Sequence, residues 1–266
     1  MNTIQMTRLG SMGRHGNRLF QSAFLACYAK AHDLRVEAPE FECQHVFPFS
    51  FDPVSTKLPE QRERFHGAED RPPEPPDGGE FINRDAVGFF QFHTSWYRPH
   101  KGLVQGMWSP RESERVFRAM GGEGFAHIGV HYRGGDYPNK LFMWRAPFQW
   151  YLDWLAEHFN EWSNPRLFVA TEDASLTNQL AAAGYEPRTA RSTGLKGTFT
   201  DDWTILRNCD VILCPNSTFS FTAAMANPQL SEAWRASLPH GRFVKFNPWN
   251  DTPLLYDKIE DYPEYR

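Results

Sequence analysis

The residues best suited to chemistry sit where apolar stretches stop. Ala126-His-Ile-Gly-Val-His-Tyr132 is a largely apolar run that turns polar at once into Arg133-Gly-Gly-Asp136. Arg133 is a permanent cation with a planar fork that matches phosphate oxygens. Gly134 and Gly135 permit positive φ and close backbone approach. Two further turns have a similar build. Gly10-Ser-Met-Gly-Arg-His-Gly-Asn17 runs straight into a helix, and Asn216-Ser-Thr-Phe-Ser220 opens another. Such a turn favours an anion, because free N–H groups and the helix dipole point at it. A fourth segment, Thr171-Glu-Asp173, ends the apolar run that begins at Leu167. Its carboxylates suit hydrogen bonding to a nucleobase or ribose. One arrangement satisfies all four. A nucleoside diphosphate lies on the second half of the chain, with Arg133, Ser217 and Thr218 near its phosphates, and the first turn faces it across a cleft.

Plainer readings stand beside these. The Arg133 turn can be an ordinary surface turn, Asn17 can cap a helix, and His131 can be a satisfied strand-end histidine. Glu172 and Asp173 can be a solvated helix start. Trp96, Tyr97 and Trp108 suit core packing better than sugar stacking.

The elements that must position these turns alternate. Thr3–Leu9 alternates like a half-buried strand. The following helix carries Leu19, Phe20, Ala23, Phe24, Cys27, Tyr28 and Ala31 on one face. Leu34–Ala38 reads as a strand, Phe41–Glu80 as irregular with Pro72, Pro73, Pro75 and Pro76, and Ala86–Phe92 as a buried strand. Arg111–Met120 reads as a short helix broken by Gly121-Gly122, which sets the domain boundary: residues 1–120 and 121–266. Beyond it come helices at Pro147–Phe159, Ala174–Ala183 and Asp201–Asn208, with strands at Ala126–His131, Leu167–Thr171, Val211–Cys214 and Arg242–Phe246. This alternation predicts α/β domains with doubly wound parallel sheets.

Composition narrows the function. With 41% hydrophobic residues in 266, a core is easily filled. A net charge of −4 advertises no nucleic acid. Cys27, Cys43, Cys209 and Cys214 form no Cys-x-x-Cys or zinc set, and read as thiols of a reducing compartment. No signal-peptide pattern or membrane-length apolar run occurs, so a cytoplasmic location is expected.

Together the motifs resemble the fucosyltransferase superfamily. Gly13-Arg-His-Gly-Asn17 followed by Phe20-Gln21 is similar to the N-terminal motif of the α-1,2-fucosyltransferases of glycosyltransferase family eleven, and to a related form in protein O-fucosyltransferases. His131-Tyr-Arg-Gly-Gly-Asp-Tyr137 resembles the His-x-Arg-Arg-Gly-Asp-Tyr motif. Val169-Ala-Thr-Glu-Asp173 and the block from Asp202 to Asn227 follow in family order, and Gly88-Phe-Phe-Gln91 is a weaker match. The second motif arginine is Gly134 here, and Ser-Phe-Thr stands at 220–222 where bacterial members usually carry Ser-Trp-Trp.

The resemblance implies a GT-B-like fold of two Rossmann-like domains facing a cleft. It also implies a GDP-fucose donor, a glycan acceptor, inversion and no required metal or cofactor. The nucleotide-sugar set is then His131, Arg133, Gly134, Glu172, Asp173, Asn216, Ser217, Thr218 and Phe219, with Gly16 and Asn17 from the first turn. Arg133, Asn17, Arg14 and His15 form the expected catalytic set. Asp136, His15 and His93 are candidates for a general base. No Asp-x-Asp metal motif is present. Any membrane association would be peripheral, through the acceptor. A transferase using another nucleotide sugar and a non-catalytic nucleotide-sugar binder remain as alternatives; the sequence is silent on oligomeric state.

Overall fold

The computed structural model describes residues 1–42, 44–64, 71–134 and 142–265. The chain divides into two compact units, Met1–Arg111 with Trp249–Pro253 and Glu112–Pro248 with Leu254–Arg266.

In the first unit β1 (Thr3–Gln5), β2 (Arg35–Glu37), β3 (Glu60–Arg62) and β4 (Arg84–Val87) form a parallel sheet in the order β2-β1-β4-β3. The helix α1 (His15–His32) joins β1 to β2 and buries Leu19, Phe20, Ala23, Phe24, Cys27 and Tyr28. Ala31 is exposed, against expectation, as are Lys30 and Asp33 beside it: the last turn extends past the packing surface. Asp33 ends the helix with φ 51 and returns its N–H to Ala29 O.

The strand β3 lies in the stretch expected to be irregular. Its residues Glu-Gln-Arg show no apolar alternation, and pairing with β4 alone makes it a strand. β4 stops at Val87 rather than Phe92, because Phe90 has φ 55 and no strand continues through that conformation. The helix α2 (Lys101–Met107) was not anticipated. Tyr97 and Trp108 are fully buried, in the core rather than free to stack on a sugar. The returning segment is held by Thr94: its N–H and hydroxyl donate to Asp251 O at 2.8 and 2.9 Å.

The second unit begins with α3 (Ser113–Ala119). Its sheet runs β6-β5-β7-β8-β9, from β5 (Ala126–Tyr132), β6 (Pro165–Thr171), β7 (Val211–Cys214), β8 (Glu232–Ser237) and β9 (Arg242–Phe246). All pairs are parallel except β8–β9, so the expected closing strand is antiparallel and packs on an unanticipated β8. The helices are α4 (Phe148–His158), α5 (Ala174–Ala182), α6 (Phe199–Arg207) and α7 (Thr218–Ala226). Ile128, Val130, Leu167, Val169, Val211 and Leu213 from the strands pack with Trp150, Trp154 and Leu155 of α4.

The boundary falls after Arg111, not at 120/121, because α3 is tied to the second unit by polar contacts. Ser113 Oγ donates to Asn208 Oδ1 at 3.0 Å and accepts from Arg207 Nη1 at 2.9 Å. Arg166 Nη1 donates to Met120 O at 2.8 Å. Among the described residues no helix is long and apolar enough to cross a membrane.

Candidate functional site

Three adjacent parallel strands of the second unit, β6, β5 and β7, end in polar residues, which is where open α/β sheets hold ligands. Strand register does the positioning. Tyr132 is the Cα partner of Thr171, so Arg133 and Glu172 leave the sheet side by side. Arg133 Nη1 lies 3.2 Å from Glu172 Oε1, with the arginine side chain 14% exposed and the carboxylate 52% exposed. A fixed guanidinium is thus held at the sheet edge beside an acid that any phosphate must displace or share.

His131 is buried and joins two elements. Its Nδ1 is 2.9 Å from Ser220 Oγ, and its carbonyl accepts from Tyr151 Oη at 3.0 Å. Its ring lies 5.1 Å from that of Phe219. Burial first, and Arg133 second, push its pKa down to about 3, so the imidazole is neutral at physiological pH. It fastens the end of β5 to the start of α7.

Several expected ligand groups are occupied by the fold itself. Asp173 is the N-cap of α5, accepting from Ser175 N at 2.9 Å and Ser175 Oγ at 2.7 Å. Ser217 is the N-cap of α7, with its hydroxyl 3.4 Å from Phe219 N. Asn216 is 1% exposed, and its amide joins three segments. It donates to Phe142 O at 2.8 Å and Leu255 O at 2.7 Å, and accepts from Leu255 N at 2.7 Å. Each of these side chains thus has partners within the fold, with Asp173 half-buried and Ser217 and Asn216 buried. Thr218 and Phe219, both half-buried, begin α7 there. Gly134 does not take a positive φ, and a Cβ on it would meet no described atom within 4 Å, so the backbone there does not require glycine. Gly135, Asp136 and Tyr137 lie outside the described residues, as does Cys43.

One residue escaped the sequence reading of the site. Asp202 lies in the first turn of α6, and α6 leads by its C-terminus into β7, so its N-terminus is directed to the same sheet edge. Burial, with Asp201 second, pushes its carboxyl up to about 7. A signal was available: Asp202, Ile205, Leu206 and Cys209 fall at i, i+3, i+4 and i+7, and the last three are buried. A carboxylate heading an apolar stripe is a perturbed acid by construction.

In the first unit the glycine turn takes the expected form at Gly13. Its φ is +69, and a Cβ there would lie 2.1 Å from Asn17 Nδ2, so only glycine lets the Asn17 side chain fold back over the turn. Asn17 is not the helix cap; Arg14 holds the N-cap position, with no side-chain cap bond. Asn17 Oδ1 instead accepts from Gln91 Nε2 at 2.9 Å, which brings two motif segments together. Gly16 is buried within the first turn of α1. His15, placed in the expected catalytic set, is packed into the unit. It is 5% exposed, stacks 5.9 Å from Phe47, and has its pKa lowered to about 3 by burial and then Arg18, which makes it a poor proton acceptor. His93 is exposed and caps a short turn, its Nδ1 2.8 Å from Ser95 Oγ. Among the described residues no group of three His, Cys, Asp or Glu gathers as a metal site would need.

No protein-family model and no curated protein sequence matches the chain. Solved structures do. A NodZ α-1,6-fucosyltransferase soaked with GDP-fucose aligns with TM-score 0.60 at 14% identity, over 92% of this chain and 99% of that one. The fucosyltransferase NodZ from Bradyrhizobium aligns with TM-score 0.59 at 14% identity, over 93% and 99%. A point mutant of Arabidopsis thaliana FUT1 in complex with GDP aligns with TM-score 0.58 at 13% identity, over 96% and 76%. At these identities the likeness establishes the fold: α/β, with two parallel-dominated sheets, of the GT-B-like kind these proteins share.

Proposed function

We propose that the chain is a glycosyltransferase that moves L-fucose from GDP-fucose to a hydroxyl of a glycan acceptor. The observation that carries this reading is the Arg133 guanidinium at the C-terminal edge of β5, flanked by Glu172 and the start of α7. The fold supports it, since structures of like fold include one soaked with GDP-fucose, one co-crystallised with GDP and one in complex with GDP. So does the order of the motifs, which reaches the superfamily; with Gly134 in place of the second motif arginine the branch stays open, and an α-1,2-like transfer is the proposed linkage.

In this reading the acceptor hydroxyl oxygen attacks the anomeric carbon as the bond to the β-phosphate oxygen breaks, its proton passes to a base or to solvent, and the configuration inverts. Negative charge grows on the departing GDP. Arg133 and the positive end of the α7 helix dipole meet that charge without reorganising. Asp202 borders the same edge and accepts from the N–H donors of guanine, which adenine does not offer at that edge. The sequence has no Asp-x-Asp, so transfer proceeds without a bound divalent ion.

The test is a thermal-shift panel of GDP, ADP, UDP, CDP and dTDP, followed by transfer from GDP-fucose with and without EDTA. A nucleotide at a hundredfold over its Kd stabilises by about 2.7 kcal/mol. Selective stabilisation by GDP with EDTA-resistant turnover supports the reading. Preference for UDP or dTDP, or loss in EDTA with rescue by Mn²⁺, overturns it. Linkage analysis of the product separates α-1,2 from α-1,6 transfer.

A further inference from the structure

We propose that Glu63 is a positioning residue, whose carboxylate fixes the turn at 88–91 in the backbone shape that delivers Gln91 to Asn17. Glu63 directly follows β3, and its N–H donates to Val87 O at 3.0 Å. Its side chain reaches the exit of β4, where Oε1 accepts from Phe89 N at 2.7 Å and Oε2 from Phe90 N at 2.6 Å. Phe90 holds φ 55, a conformation rarely taken by a bulky residue and kept only where its surroundings impose it.

Those surroundings are on every side. Phe90 O accepts from Tyr97 Oη at 2.5 Å, Gly88 O accepts from Gln21 Nε2 at 2.9 Å, and the Phe90 ring stacks on Phe24 at 3.8 Å. A Cβ on Gly88 would lie 2.5 Å from Glu63 Cδ, so glycine is what admits the carboxylate. What the strained turn delivers is Gln91, 5% exposed, with Nε2 donating to Asn17 Oδ1 at 2.9 Å. No described Lys or Arg forms a salt bridge with Glu63, and burial raises its pKa despite the two backbone bonds. A buried carboxylate without a counter-ion is unfavourable, and here it does what an amide cannot. It presents two acceptors to two successive N–H groups, whereas a glutamine turns a donor toward one of them.

The control of Asn17 rests on geometry alone. Its bearing on catalysis rests on the fucosyl-transfer reading. The experiment compares wild type, Glu63→Gln, Gly88→Ala, Gln91→Ala and the Glu63→Gln/Gln91→Ala double variant. Hydrogen exchange by mass spectrometry reads residues 88–92 and the first turns of α1, 15–21. Glu63→Gln and Gly88→Ala are expected to speed exchange in both segments by about threefold or more, and Gln91→Ala only in 15–21. With GDP-fucose, Glu63→Gln and Gln91→Ala each lower kcat about tenfold with unchanged GDP affinity, and the double variant is no slower than Gln91→Ala. Faster exchange confined to 88–92 in Glu63→Gln, or a double variant slowed by the product of the two effects, overturns the proposal. If the variants show the exchange pattern but the wild type transfers no fucose, the functional reading falls and the positioning role stands.

Discussion

Arg133→Lys keeps a positive charge at the edge of β5 and removes the fork, so two quantities can be set against each other. The first is stability. Arg133 pairs with Glu172 at 3.2 Å, but the carboxylate is 52% exposed. Ion pairs of that kind contribute about 0–1 kcal/mol, and 1 kcal/mol moves Tm by roughly 2–4 °C in a chain of this size. The second is affinity for GDP. A hydrogen bond to a charged group contributes about 1.5–3 kcal/mol, and lysine retains one where arginine makes two. Arg133→Lys should therefore weaken GDP binding by about 10- to 150-fold while Tm barely moves. Arg133→Ala should weaken it further, since Glu172 then faces the phosphates with no cation between. Glu172→Gln should leave GDP affinity unchanged or slightly raised, because it removes the competitor for the fork. Titration calorimetry at fixed salt, with melting curves of each variant, reads all of this. Folded Arg133→Lys and Arg133→Ala proteins binding GDP within about threefold of wild type would refute the reasoning.

Three further outcomes follow from the titrating and buried groups. His15 and His131 both have pKa values lowered to about 3. The unfolded chain therefore takes up protons below pH 6.5 that the fold refuses, and stability falls as pH drops from 6.5 toward 3. At pH 5.5 the loss is about 1.4 kcal/mol per histidine, read as a Tm decrease that His131→Asn reduces. Asp202, with its pKa raised from 3.8 to about 7, works in the opposite sense: stability is lost as pH rises from 3.8 to about 7, where the unfolded chain ionises and the fold does not. Asp202→Asn should thus melt higher than wild type at pH 8, with the gap narrowing toward pH 4, and should lose preference for GDP over ADP; an unchanged preference removes Asp202 from the base site. Asn216→Ala leaves the amide's partners at Phe142 and Leu255 without it, and should cost about 2–4 kcal/mol in denaturant unfolding. A fully stable Asn216→Ala protein would show that those bonds are replaceable.

Legibility from sequence followed the length of the apolar pattern. β5 and β6 were readable because Ile128, Val130, Leu167 and Val169 form buried runs, and α1 because its stripe spans several turns. β3 was not, since Glu60–Arg62 owes its strand state to its partner β4. The end of β4 was missed because Phe90 looks like strand continuation, and only tertiary contacts drive it to φ 55. In the site, residue type could not separate a ligand group from a cap. Asp173 and Ser217 carry the same signature for both roles, and their carboxylate and hydroxyl cap helices. Arg133 was legible because nothing in local structure requires a cation after a buried strand. Asp202 was hidden by its position inside a helix, where acidic residues ordinarily face water.

The return of Trp249–Pro253 to the first unit has a consequence for synthesis. Thr94 donates from its N–H and its hydroxyl to Asp251 O, a partner more than half the chain away. A nascent chain emerges from the ribosome at about 5–20 residues per second. The first unit must wait roughly 7–28 s at that pace for its last piece, while the strands of the second are already complete. A chain truncated before that segment would carry the sheet and glycine turn of the first unit intact in sequence and still leave Thr94 unanswered. The two units are separate as packed bodies, yet as products of translation they finish together.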